Sequence, residues 1–206
     1  MKAYDVVAGF ESRVAEFAGA KHGIATDCCT SALFLCMRFK NVAGGVPVRI
    51  PCKTYVSVPM AVLHAGGKVE FTEEDWVGVY PLRPYGIHDG AKRFRRDMYE
   101  GGLHCLSFHI KKSIDIGRGG MILTDDDDAA KWLRKARYDG REGKPYPEEK
   151  IDMLGWHVYM TPEQAARGLA LLDVMPAGGF EDQTEDYPDL REMPIFFDKH
   201  ERRRRA

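Results

Sequence analysis

Between Phe10 and Val174 the chain alternates short β-branched runs with stretches whose apolar residues recur at helical spacing, and few architectures accept that alternation. Phe10, Val14 and Phe17 share one face of a helix over 10–18, and Gly19 is placed to end it. A strand over 21–26 leads into a strongly apolar helix over 30–40, with Thr30 or its neighbour as N-cap. A strand over 46–51 precedes a helix over 56–64 that Gly66-Gly67 stops. Residues 69–71, 77–80, 85–88, 103–108 and 120–124 read as further strands, and 127–138 as a charged amphipathic helix. Thr161 at N-cap, Pro162 at N1 and Gln164 at N3 open a last helix that runs to Val174. This order predicts an α/β fold, three-layered around a mainly parallel sheet. Ligands on such sheets bind beyond the carboxyl ends of strands, so those ends are where chemistry is sought.

Composition narrows the class. With 44% hydrophobic residues among 206 the chain sustains a core, which excludes wholesale disorder. No apolar run is long enough to span a bilayer, and Met1-Lys2-Ala3-Tyr4-Asp5 lacks the pattern of a secretory signal, so a cytoplasmic protein is expected. A net charge of −1 removes bulk electrostatics as an argument for nucleic acid, leaving only a local patch. The five cysteines, Cys28, Cys29, Cys36, Cys52 and Cys105, are odd in number and have no C-x-x-C spacing, so reduced thiols are expected rather than disulfides or a metal site. Residues 1–175 read as one domain. Residues 176–206, rich in Pro, Gly and acidic side chains and ending in Arg202-Arg203-Arg204-Arg205, read as a polar tail, mobile or bound to a partner or polyanion.

Four segments at predicted strand ends carry residue types that make chemical sense together. Thr26-Asp27-Cys28-Cys29-Thr30-Ser31 puts hydroxyls and free N–H groups at a helix N-terminus, suited to a phosphate. Pro51-Cys52-Lys53-Thr54-Tyr55 places a flat ring just after a strand, where packing is the commoner use. Ile87-His88-Asp89-Gly90-Ala91-Lys92 points a carboxylate into the crevice, or else caps a helix. Ser107-Phe108-His109-Ile110-Lys111-Lys112, followed by Gly117-Arg118-Gly119-Gly120, sets a lysine between a strand end and a glycine-rich turn, a place suited to a Schiff base.

In order along the chain, these pieces resemble the DegT/DnrJ/EryC1/StrS family of pyridoxal-phosphate (PLP) sugar aminotransferases. Phe10-Glu11 with Phe17-Ala18-Gly19-Ala20 is similar to its FE…FA…GA opening, and 25–33 to its TSSGTAAL turn. Ile50-Pro51 with Thr54-Tyr55-Val56 resembles VPxFTYVA, and Ala65-Gly66 resembles hAGa. Ser107-Phe108-His109 with Lys112 and Gly119-Gly120 resembles SFHxxKxxxxGEGG. Residues 155–160 with Gln164-Ala165-Ala166 resemble GyNyRMxxxQAA.

The resemblance implies the PLP-transferase large-domain fold and a set of roles. Lys112 would hold the cofactor as a Schiff base and then move a proton at the substrate α-carbon; Lys111 is its rival. Asp89 would pair with the pyridine nitrogen, Tyr55 would stack on the ring, and Ser107, Thr30, Ser31 and the N–H groups around Cys29 would hold the phosphate. Departures from the pattern are as informative. Lys92 stands where the family has Gln or His near the ring hydroxyl. His157 replaces the interface Asn that reaches a partner subunit's phosphate, Tyr159 replaces the following Arg, and Arg118 replaces the Glu of GEGG. The stretch before Asp89 is short, and little follows the QAA helix, so the expectation is a shortened form lacking the C-terminal small domain, of the kind a viral or streamlined genome would carry.

Three functions follow as expectations. The first is a homodimeric PLP-dependent sugar-nucleotide aminotransferase, with cofactor sites at the interface and Glu or Gln as amino donor. The second is a PLP-dependent decarboxylase or lyase acting on an amino-acid group borne by a large substrate, such as a modified base of viral DNA. The third is a non-catalytic subunit that keeps only the fold.

Overall fold

The computed structural model describes residues 4–196 of the chain. In chain order the elements are α1 (Asp5–Ala18), β1 (His22–Thr26), α2 (Cys29–Phe39), β2 (Pro47–Pro51), α3 (Ser57–Ala65), β3 (Lys68–Thr72), β4 (Tyr80–Leu82), β5 (Ile87–Asp89), β6 (Leu103–Ser107), β7 (Gly120–Thr124), α4 (Asp127–Ala136) and α5 (Pro162–Val174). Gly19 and Gly66 end α1 and α3 in the left-handed region, at φ 80° and 91°, where a side chain would be strained. The Thr161–Gln164 capping box is formed at α5. Helix α2 starts one residue earlier than its pattern predicts, with extended Cys28 as N-cap and Thr30 inside the first turn.

Five strands form one sheet in the order β1-β7-β6-β5-β4, and β2 and β3 pair separately. A single bridge, Arg49 to Arg83, joins the two sheets through reciprocal backbone hydrogen bonds of 2.9 and 3.1 Å. The fold is α/β as expected, but strand direction is mixed rather than mainly parallel. Only β2/β3 and β5/β6 run parallel; β7 is antiparallel to both β1 and β6, and β4 to β5. The connections explain this. Parallel neighbours need a crossover, which α3 supplies between β2 and β3. The loop from β6 to β7 and the tight turn from β4 to β5 contain no helix, so the chain folds straight back.

Side chains along the central strands alternate between two separate cores. Ile24, Cys105 and Ile122 face α2, α3 and α4, together with Leu33, Met37, Val62 and Leu133. Ala25, Leu106, Met121 and Leu123 face α1 and α5, together with Phe10, Val14, Ala165 and Leu172. A sheet covered on both faces is a three-layer sandwich, and its strands read as continuous apolar runs for that reason.

Three expectations differ locally from the structure. The strand predicted over 77–80 lies instead at β4, because Gly78 and Gly86 turn the backbone at φ 72° and 62° on either side of it. The predicted strand over 85–88 accordingly begins only at Ile87. Residues 176–196 do not trail from the domain. Phe180 N–H donates to Phe94 O (2.8 Å), Gln183 N–H to Lys92 O (2.8 Å) and Leu190 N–H to Cys52 O (2.9 Å), and Leu190 is fully buried. Arg93 and Asp182, both largely buried, pair at 2.6 Å. These anchors are mainly polar and backbone contacts, which hydrophobic periodicity does not reveal. The Arg202 to Arg205 run lies outside the described residues. All five cysteines are free thiols, and among the described residues no helix is long and apolar enough to cross a membrane.

Glu11 ties the layers together. Its buried carboxylate accepts from Ala25 N–H of β1 (2.8 Å) and pairs with Arg137, which follows α4 and donates to Ala25 O. Truncation leaves Arg137 without its counter-ion and the Ala25 N–H without its acceptor. Glu11→Ala is expected to cost about 3 kcal/mol, and Glu11→Gln less, read from urea unfolding midpoints.

Candidate active site

The carboxyl ends of β1, β2, β5 and β6 converge with the amino end of the reversed strand β7, and a cavity of about 390 Å³ opens among them. The loop after β1 brings Cys28, Cys29 and Thr30; that after β2 brings Thr54 and Tyr55; β5 ends in Asp89 and β6 in Ser107. Lys111 and Lys112 come from the β6–β7 loop, as do Arg118 and Gly119, which lead into β7.

At the floor sits Asp89, only 5% exposed. Its Oδ1 accepts from Ala91 N–H (2.9 Å) and its Oδ2 from the Tyr80 hydroxyl (2.8 Å). Burial pushes the Asp89 pKa up, opposed by these hydrogen bonds and by the charges of Lys112 and Lys92. Lys112 is partly buried whereas Lys111 is exposed. Burial first, then the neighbouring Lys92 cation, pushes the Lys112 pKa down, while Asp89 pulls it back. A desolvated amine next to a second cation is favoured in its neutral, nucleophilic form. The two lysines are thereby told apart physically as well as by spacing.

Lys92 is 8% exposed, and its ammonium meets the Glu185 carboxylate at 2.5 Å and lies 5.6 Å from the Tyr187 ring centroid. Tyr187 stacks on Trp76 with an interplanar angle of 18° and faces Tyr55, which is 58% exposed and free to cover a flat ligand. Opposite this wall, Thr30 Oγ1 and Ser57 Oγ share a hydrogen bond of 2.7 Å beside the first turn of α2, whose early N–H groups lack helical acceptors. The backbone crowds here. A Cβ on Gly120 would lie 2.4 Å from the Cys28 carbonyl carbon, so only glycine lets β7 start under this turn. Burial holds the Cys29 thiol well above its usual pKa, so Cys29 offers a backbone N–H rather than a thiolate.

Of the residues singled out by sequence, Lys112, Asp89, Tyr55, Ser107, Thr30, Cys29 and Lys92 line the one cavity. Ser31 does not: its hydroxyl turns back to Cys28 Sγ at 3.3 Å. His157 lies outside the cavity too, exposed, with Nδ1 at 2.8 Å from Asp139. Sequence reasoning missed Ser57, Trp76, Tyr80, Glu185 and Tyr187. Ser57 at a helix start carried a readable signal; the others reach the site only through tertiary folding.

The sequence matches the DegT/DnrJ/EryC1/StrS aminotransferase family over residues 1–79 and 98–177. The chain belongs to this family. It is 27% identical to GDP-perosamine synthase of Caulobacter vibrioides over 80% of this chain and 55% of that protein. It is 24% identical to a UDP-N-acetyl-3-dehydro-alpha-D-glucosamine 3-aminotransferase of Acidithiobacillus ferrooxidans, over 75% and 53% respectively. The fold is similar to a crystal structure of a family aminotransferase from Brucella abortus, with a TM-score of 0.71 at 21% identity, covering 82% of this chain and 58% of that one. DesV of S. venezuelae, solved with a ketimine intermediate, gives 0.70 at 19%, covering 82% and 56%. The chain spans about half the length of the curated relatives it matches. The unmatched residues 80–97 include Tyr80, Asp89 and Lys92, so their places in the site rest on geometry alone.

The electrostatic reading has a direct test. Lys92→Gln removes a cation beside Lys112 and leaves Glu185 facing it. The Lys112 amine is then expected to titrate at higher pH than in the parent protein, read from the pH dependence of its reductive methylation without cofactor.

Proposed function

We propose that the cavity binds PLP and that the protein is an aminotransferase of the sugar-nucleotide type. The observation that carries this reading is the convergence of Lys112, Asp89 and a hydroxyl-lined helix start on one cavity, each suited to a different end of the cofactor. The donor set fits: an amine whose pKa burial lowers, a carboxylate for the pyridine nitrogen, and Thr30, Ser57, Ser107 and the α2 N–H groups for the phosphate. When bound, PLP supplies an electron sink for the electron pair left on a substrate carbon.

The chain's own residues do the rest. Lys112 would hold the cofactor through its aldehyde, and its amine is placed to take and return a proton at a substrate carbon. Asp89 would pair with the pyridine nitrogen and favour its protonated form. Tyr55 covers a ring face, while Trp76 and Tyr187 wall the entrance. Lys92, with Glu185, stands on the side where the family pattern places a ring-hydroxyl contact. The amino donor is a free amino acid such as Glu or Gln, and the acceptor a keto-sugar. His157, remote from its own chain's cavity, suits a role across a homodimer interface toward the partner's phosphate.

The relatives reported above are named for aminotransfer or sugar synthesis, and the decarboxylase or lyase reading has no observation of its own. A non-catalytic subunit would have no need of a desolvated Lys112 opposite a buried Asp89. Borohydride treatment of the PLP-loaded protein followed by peptide mass mapping tests the assignment. The label is expected on Lys112, lost in Lys112→Ala and retained in Lys111→Ala. A label on Lys111, or no bound PLP in the parent protein, overturns it.

A further inference from the structure

We infer that Tyr80, braced by Thr54, is a positioning residue that fixes the orientation and charge of the Asp89 carboxylate. The inference rests on the cofactor reading above for its consequence, though not for its geometry. Tyr80 and Asp89 are directly opposed across the antiparallel β4/β5 pair. The Tyr80 hydroxyl donates to Asp89 Oδ2 at 2.8 Å and lies 2.6 Å from Thr54 Oγ1. All three side chains are buried, with Tyr80 2% and Thr54 1% exposed.

The direction of this chain follows from proton counting. Tyrosine carries one hydroxyl proton, and Asp89 accepts it, so the Thr54 hydroxyl must donate to the Tyr80 oxygen. Polarity therefore runs from Thr54 through Tyr80 to Asp89, the direction that favours an ionised carboxylate. Each Asp89 oxygen accepts one bond from the protein, Oδ1 from Ala91 N–H and Oδ2 from Tyr80, and each keeps a further acceptor site. Those sites are what a ring N–H requires. The Tyr80 ring is itself held, packed 4.6 Å from Trp76 between ring centroids. Tyr80 lies in residues 80–97, which the family match does not cover, so the brace is argued from the geometry of this chain.

The test reads Asp89 directly. In cofactor-free protein labelled at the aspartate carboxyl carbon, with Asp89→Asn to assign the signal, the Asp89 titration is followed by NMR. Losing a hydrogen bond to the charged form raises its pKa, so Tyr80→Phe is expected to move the midpoint up by about one pH unit, a tenfold change in proton affinity. Thr54→Val is expected to move it the same way by less, and Thr54→Ser to restore it. PLP dissociation constants measured alongside are expected to rise about tenfold in Tyr80→Phe, since a carboxylate that protonates more readily grips a pyridinium less well. An Asp89 midpoint unmoved in both Tyr80→Phe and Thr54→Val overturns the inference, and should Tyr80→Phe not fold, the Val and Ser variants at Thr54 decide alone. A shifted midpoint in a protein that never binds PLP sustains the brace and refutes the cofactor reading.

Discussion

Because both faces of the central sheet are buried under helices, polar chemistry can gather only at the strand ends. Ile24 and Ala25, Cys105 and Leu106, and Ile122 and Leu123 send alternate side chains into opposite cores and leave no face to water. The strand termini carry the polar groups of the cavity: Asp89 at the end of β5, Ser107 at the end of β6, and the Cys28–Thr30 turn after β1. Reversal of β7 adds a glycine at its amino end, where the strand must slip beneath the start of α2. Apolar layering thus decides where the cavity is before any catalytic residue is specified.

Desolvation then makes the charges in that cavity depend on one another. Burial alone drives both Asp89 and Lys112 toward their neutral forms. Their proximity offsets this for Asp89, which two cations favour in its ionised form, and aggravates it for Lys112, which feels Lys92 as well as burial. Glu185 screens Lys92 from outside the family-matched region. The result is an amine whose pKa is lowered beside a carboxylate whose pKa burial raises against the pull of two cations, in the same small space. That division of roles comes from environment rather than from residue type.

Local pattern carries most of the fold. Residues 120–124 form β7 with the ends the sequence predicts, α5 starts at the Thr161 capping box, and Gly19 and Gly66 stop their helices by left-handed caps. Seven of the cavity residues are likewise legible, because motif spacing reflects strand ends. What was not legible depends on register between distant segments. Tyr80 matters because β4 pairs with β5 so that residue 80 opposes residue 89, and no periodicity encodes that pairing. Glu185 and Tyr187 sit in a segment whose composition resembles a solvated tail, yet backbone hydrogen bonds to Lys92, Phe94 and Cys52 lay it along the cavity. Strand direction escapes the apolar pattern for a related reason, since a helix-free connection reverses the chain without any mark in it.

Residues 80–97 build one wall of the cavity from a single local unit. Where the family match lapses, β4 and β5 form a tight antiparallel pair, and Gly86 turns the chain between them. That turn fixes the register, the register sets Tyr80 against Asp89, and the adjoining Ala91 N–H completes the carboxylate's protein partners. Three residues beyond Asp89 lies the other cation of the cavity, Lys92, close enough to act on Lys112. A short hairpin thus supplies the buried acid, its brace and a second positive charge in one local unit. The identity of residue 89 alone does not define the acid's role; the backbone that holds it and the hydroxyl that faces it do.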